Sequence, residues 1–280
     1  MVNLDFQQQS PDQPIPVSGE GVWDRTEERR QGRLRHQPPG PSLKEMASAS
    51  LILIGTVHGD PRGYARVLGL LERFRPEVVT VEISRFSLRY RGIWEARWRR
   101  QLQKTLAALP PEAQGHPALQ MVAAQIALPF EYRAARDYCR QNGAKCLPLD
   151  LGGLSRRHLP RYGRELLSPD NLRALSAEPR ESLEEAVARE FRRARAALAR
   201  PPWRLAQAES PETRRREIFV GRRLKRLTAK HGRVVHLGGW EHLVPWLEGG
   251  GLLSLLAEQQ PYILLADEGD SLSRQEDPDD

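Results

Sequence analysis

Leu51-Ile-Leu-Ile-Gly-Thr-Val-His58 is the stretch on which the fold turns. Four aliphatic residues run without polar interruption into a glycine and then a histidine. A short continuous apolar run that stops at a turn residue reads as a strand buried on both faces, as in a parallel sheet covered by helices. The pattern recurs along the chain. Val78-Val-Thr-Val81 runs into Glu82, Cys146-Leu-Pro-Leu149 runs into Asp150, and Val234-Val-His-Leu237 leads to Gly239-Trp-Glu-His242. Chance alone yields about half a Gly-x-x-His from 22 glycines and 7 histidines in 280 residues, so the motif by itself carries little. The setting carries more. Open parallel sheets bind ligands in the crevice outside the carboxyl ends of their strands, and His58, Glu82, Asp150 and His242 all fall there.

Between these strands the chain alternates with helices. Arg62 to Phe74 reads as a helix burying Val67, Leu68, Leu70 and Leu71. A helical insert follows over about 85–126, broken at Pro110-Pro111 and near Pro117. Glu131 to Asn142 is a helix that Gly143 stops. An arginine-rich helical region fills about 160–230, interrupted at Pro169, Pro201-Pro202 and Pro211, and 243–257 is largely helical with a glycine break at 249–251. Tyr262 to Ala266 is a late strand near an edge. The expected class is α/β, with a mostly parallel central sheet flanked by helices. The two strand–Gly-x-x-His units also suggest a diverged internal repeat.

Residues 1–47, with Gln7-Gln-Gln9, Pro38-Pro-Gly-Pro41 and little to bury, read as a disordered N-terminal arm. Residues 48–266 form the α/β domain, and 267–280 an acidic flexible tail. The net charge of +7 is almost all arginine, the lysines being Lys44, Lys104, Lys145, Lys225 and Lys230. Cys139 and Cys146 allow at most one bridge and suit a reducing compartment. No leader-type segment opens the chain, and no apolar run approaches the ~20 residues of a membrane helix. A soluble, cytoplasmic protein with no membrane partner is expected.

Histidine is a common ligand of borderline metals, and carboxylates complete such sites or act as bases beside them. His58, Glu82, Asp150 and His242 therefore read as a metal site at the upper edge of the sheet. The plainer alternative makes His58 a loop cap and Glu82 a solvated acid. Glu131, at a helix start where the dipole favours a carboxylate, is a general base or simply a helix-start acid. His236 lies inside its strand and reads as a hydrogen-bonded core histidine. Neither cysteine has an activating motif. The run Arg192-Arg-Ala-Arg-Ala-Ala-Leu-Ala-Arg200 raises nucleic-acid binding, but Glu184, Glu185, Glu190 and Glu217 are interleaved, and a solvated face accounts for it better. A phosphate-binding loop, a His-Glu-x-x-His motif and a Gly-x-Ser-x-Gly elbow are all missing.

The ordered set Gly55-Thr-Val-His58, Thr80-Val-Glu82, Phe130-Glu-Tyr-Arg-Ala-Ala135, Gly143-Ala-Lys-Cys-Leu-Pro-Leu-Asp150 and Gly239-Trp-Glu-His242 resembles the TraB/PrgY family. That family belongs to a superfamily with the TIKI proteases, the GumN-like proteins and the erythromycin esterase and ChaN-like proteins. The likeness spans about residues 50–265. It departs where the family carries an arginine after the second-strand glutamate, which falls on Ser87 here, and at Leu151, where an arginine commonly follows the aspartate. The arginine of the family's late helix corresponds to Arg216.

The resemblance implies a metal-dependent hydrolase acting on a peptide or amide bond. His58, His242 and Glu82 would bind a divalent ion (manganese, cobalt or zinc). Glu82 and Glu131 would complete coordination or activate water, Asp150 would orient a ligand from behind, and Arg216 would complete the catalytic set. A non-catalytic module that sequesters a peptide or cofactor in the same cleft is the alternative. The expected partners are a peptide or small-molecule substrate and, in a homo-oligomer, further copies of the chain.

Overall fold

The computed structural model describes residues 49–177, 181–199, 211–244 and 251–272. Its centre is a five-stranded, wholly parallel sheet of β1 (Leu51–Thr56), β2 (Val78–Val81), β3 (Lys145–Pro148), β4 (Val234–Gly239) and β5 (Tyr262–Leu265), in the order β3-β2-β4-β1-β5. All six residues of β1 are buried, as a strand between two neighbours and under helices on both faces must be. Edge strands β3 and β5 carry partly exposed residues.

Side chains alternate between two cores. Ile52 and Ile54 pack with Val67, Leu70 and Leu71 of α1 (Gly63–Phe74), whereas Leu51 and Leu53 point to the opposite face. After β2 the insert forms α2 (Arg85–Ala107), α3 (Pro111–Gln114) and α4 (Pro117–Ile126), the latter two each opening on the proline that interrupts the sequence pattern. Then α5 (Phe130–Asn142) packs Ala134, Ala135 and Tyr138 into the α1 side of the sheet and ends at Gly143, whose φ of 67° is the left-handed conformation that suits glycine.

Beyond β3 come α6 (Gly153–His158), α7 (Pro169–Ser176), α8 (Leu183–Ala199) and α9 (Pro211–Thr228). Val220 and Leu224 of α9 join Leu51, Leu53 and Val234 on the second face. Trp98 and Leu102 of the insert pack with Leu119, Val122, Leu166 and Leu172 in a third cluster. The insert is thus one packing unit with the segment around α7.

The expected strands, and the helices up to residue 142, are present within a residue or two. Three stretches differ. The helical region expected over about 160–230 starts earlier, at Gly153, and 162–168 are turn and loop ahead of α7. Among described residues of 243–257 only Leu252–Leu255 is α-helix, since four leucine-rich residues pack one short turn on α9. The acidic segment is also docked at its start. Asp267 is bonded to Arg195, Asp270 bridges Arg62 and Arg66, and Gly269–Leu272 is helical. The expected arm at 1–47, the Pro201-Pro202 break and 273–280 lie outside the described residues. Among the described residues no helix is long and apolar enough to cross a membrane.

Candidate functional site

Strand order assembles the site. Because β4 inserts between β1 and β2, the carboxyl edge presents Asp150, Glu82, His242 and His58 in nearly the order β3-β2-β4-β1. Thr56 pairs in register with Gly239, so the two Gly-x-x-His motifs leave neighbouring strands side by side.

Glu82 follows β2 and keeps its ladder position by donating its N–H to Leu237 O at 2.9 Å. Its Oε2 accepts the Gly239 N–H at 2.9 Å, and Oε1 meets His242 Nε2 at 2.9 Å and the Arg216 guanidinium. Glycine is required at 238, because a β-carbon there would lie 2.7 Å from Glu82 Oε2 and 3.3 Å from His236 Nε2. A 3₁₀ turn, Trp240–Leu243, carries His242; buried Trp240 and Leu243 pin it on either side.

Arg216 and Glu217 are consecutive on α9, about 100° apart round the helix, so one helix serves the ends of three strands, β2, β3 and β4. Arg216 Nε donates to Asp150 Oδ1 at 2.8 Å while its other arm reaches Glu82. Glu217 Oε1 meets His242 Nδ1 at 3.0 Å. Burial alone would make the His242 cation less stable. The Glu82 charge and hydrogen bonds to Glu217 and Glu82 outweigh that and push its pKa up to about 10. Burial disfavours the Glu82 charge too, but Arg216 and His242 hold its carboxyl well below the usual range. At neutral pH the His242 cation and the Glu82 carboxylate therefore face each other as an ion pair.

The second group sits across β1. Glu131 is the second residue of α5 and only 5% of its side chain is exposed. Its Oε1 lies 3.3 Å from His58 Nδ1 and 3.0 Å from Thr56 Oγ1, which is also 3.1 Å from Gly238 O. Its Oε2 is buried with no hydrogen-bond partner among the described residues. His58 itself is 81% exposed, and Nε2 has no partner among the described residues. The hydrogen bond and charge of Glu131 raise the His58 pKa above 6.5. Charges on Glu82 and Arg216 reach His58 as well, the first raising and the second lowering it, so the two groups form one electrostatic site.

The expected ligands His58, Glu82 and His242 are therefore split, His58 to Glu131 and the other two to each other. A metal-binding imidazole must be neutral with one nitrogen free. His242 has both nitrogens against carboxylates, and the Arg216 cation occupies the space between Glu82 and Asp150. The set as arranged does not fit a divalent ion, and among the described residues no group of three or more His, Cys, Asp or Glu side chains is placed to hold one.

Asp150, Glu82, Glu131, Arg216, His58 and His242 all reach the carboxyl edge. His236 lies in the core as expected, 2.9 Å from Thr80 Oγ1, and burial pushes its pKa down to about 4, leaving it neutral. Cys139 and Cys146 are free. Part of the arginine run is spent on structure, Arg195 on Asp267 and Arg193 over the Trp240 ring. Two contributors escape a reading of the sequence. Thr56 sits inside the first motif but carries no local sign of a role. Glu217 is buried on a helix whose surroundings are arginine-rich, and an acid among arginines is the one signal that could have marked it. Comparison with known protein families, with curated proteins and with solved structures gave no match for this chain.

Proposed function

We propose that this protein is a hydrolase of a peptide or amide bond, working by acid–base chemistry at the carboxyl edge of the sheet, as the TraB/TIKI-like motif order suggests. The observation that carries the reading is the His58–Glu131 pair. A buried carboxylate holds Nδ1–H of a histidine whose Nε2 faces solvent, which fixes the tautomer a general base needs. Neutral His58 takes a proton at Nε2 from a water as its oxygen adds to the substrate carbonyl. The imidazolium so formed is stabilised by Glu131. It returns the proton to the departing nitrogen as the C–N bond breaks. Arg216 and His242, each held between two carboxylates, fix the shape of the same edge beside the reacting carbonyl. The expected manganese, cobalt or zinc ion has no step here, because its donors are already engaged.

His58→Gln and Glu131→Gln should each lower turnover by about 10²–10⁴-fold, the usual worth of a general base, with unfolding temperature unchanged for His58→Gln. Base catalysis needs neutral His58, so activity should rise with pH through a value above 6.5 and fall below it. A screen of peptide and amide substrates with product identified by mass checks both. Equal turnover in wild type and His58→Gln would remove the assignment. A second reading, a module that sequesters a peptide or cofactor in the same cleft without chemistry, is favoured by the Glu82–Arg216–His242 network, whose groups are held by one another, and saturable binding without product over long incubation distinguishes it.

A further inference from the structure

A basic groove leads away from the site along α9. Its first part is a cavity of about 400 Å³ whose wall includes Asp150 and Arg216, and so opens on the network described above. The second part, about 570 Å³, shares Leu151 and Arg215 with the first, so the two adjoin along α9. Not all of the charge here is spent. Arg216 is paired with Glu82 and Asp150, and Arg157 with Glu212. Arg156, Arg215, Arg222, Arg223 and Arg226 have no ion-pair partner among the described residues, and no acidic residue lines the second part.

The lining is not only basic. Leu151 is 45% exposed, and Ile218 and Phe219 share the wall with the arginines. Positions 212, 215, 219, 222 and 226 repeat at helical spacing, so they line one face of α9. That face is about 21 Å long at ~1.5 Å per residue, the reach of roughly six residues of extended peptide at ~3.4 Å each. A nucleic acid would use the cations but gain nothing from the exposed Leu151 and the half-buried Ile218 and Phe219 among them.

We propose that this groove is the substrate-binding subsite for a peptide in which acidic residues alternate with apolar ones. Carboxylates pair with Arg215, Arg222 and Arg226, guanidinium forks being well matched to carboxylate oxygens. Apolar side chains of the peptide cover Leu151, Ile218 and Phe219. The bound strand enters the edge of the sheet past Asp150 and Arg216, delivering its carbonyl toward His58. The inference deepens the hydrolase reading and rests on it only for the step that follows binding.

The test is fluorescence anisotropy with a fluorescein-labelled decapeptide of alternating glutamate and leucine, on the His58→Gln protein, so that binding is measured without turnover. Three comparisons accompany it: the glutamine-for-glutamate peptide, the serine-for-leucine peptide and a labelled single-stranded oligonucleotide. Replacing either residue type should weaken binding, by about tenfold or more for glutamate. Arg215→Glu/Arg222→Glu should lose at least about tenfold, while Arg89→Glu/Arg100→Glu, an equal charge change on exposed positions elsewhere, should bind as before. Equal binding by Arg215→Glu/Arg222→Glu, an indifferent serine-for-leucine peptide, or tighter binding of the oligonucleotide would each overturn the proposal. If neutral amides are turned over but the acidic peptide does not bind, the groove assignment alone fails. Tight binding with no turnover by the wild type removes only the hydrolase reading.

Discussion

The same four-residue motif at two neighbouring strand ends leads to two different environments. His58 leaves β1 into a loop and is 81% exposed, held by one buried acid. His242 leaves β4 into a tight turn and is 20% exposed, clamped by Glu82 and Glu217. Both imidazoles gain affinity for a proton from a carboxylate, but only one keeps a nitrogen that can exchange it with solvent. In the proposed reaction His58 moves the proton, while His242 stays held by its two acids. A deeply paired histidine is a fixed charge across the neutral range, and the exposed one titrates.

The largest effect on this division should come from Arg216→Ala. It leaves Glu82 and Asp150 facing each other without their shared cation, and removing one partner from a buried ion pair costs about 3–5 kcal/mol. Chemical denaturation should show that loss, whereas His58→Gln should stay within about 0.5 kcal/mol of wild type as an exposed substitution. Comparable losses in the two variants would erase the contrast. Gly238→Ala should come next, at about 1–3 kcal/mol for forcing a methyl group into a packed site. Because that methyl group meets Glu82 Oε2, the variant should also lose the alkaline behaviour described below.

The two histidines should separate by pH as well. A folded pKa of about 10 for His242 against 6.5 when unfolded means its contribution to stability is full below about 6.5. It declines as pH rises and is gone above about 10. Unfolding temperature measured from pH 7 to 10 should fall in the wild type and fall less steeply in His242→Gln. Parallel curves would show that the clamp is not ionised as described. The smallest effect should be that of metal. Equilibration with manganese, cobalt or zinc should leave substoichiometric ion and an unchanged unfolding temperature. Stoichiometric metal lost in His242→Ala would mean that the clamp opens to accept an ion.

Much of this molecule is legible in order along the chain. Leu51-Ile-Leu-Ile54 and Val78-Val-Thr-Val81 announce buried strands because only a strand covered on both faces tolerates such a run. Pro111, Pro117 and Pro169 mark helix starts, since a first-turn proline loses no hydrogen bond. Glu131 is harder to place. Its position at a helix start explains a carboxylate equally well with or without a catalytic neighbour, and only the 3.3 Å approach to His58 separates the two readings.

Run length, periodicity and turn residues are local properties, so the chain alone points to the strands β1 to β5, to a mostly parallel sheet and to acids and histidines at four strand ends. Which end stands beside which is a long-range matter. The insertion of β4 between β1 and β2 joins residues more than 150 positions apart in sequence. That pairing brings His242 to Glu82 and leaves His58 to Glu131. The packing of α9 then sets Arg216 between Glu82 and Asp150 and Glu217 against His242. The charged partners decide protonation here against the cost of burial, and they meet only once the sheet has closed.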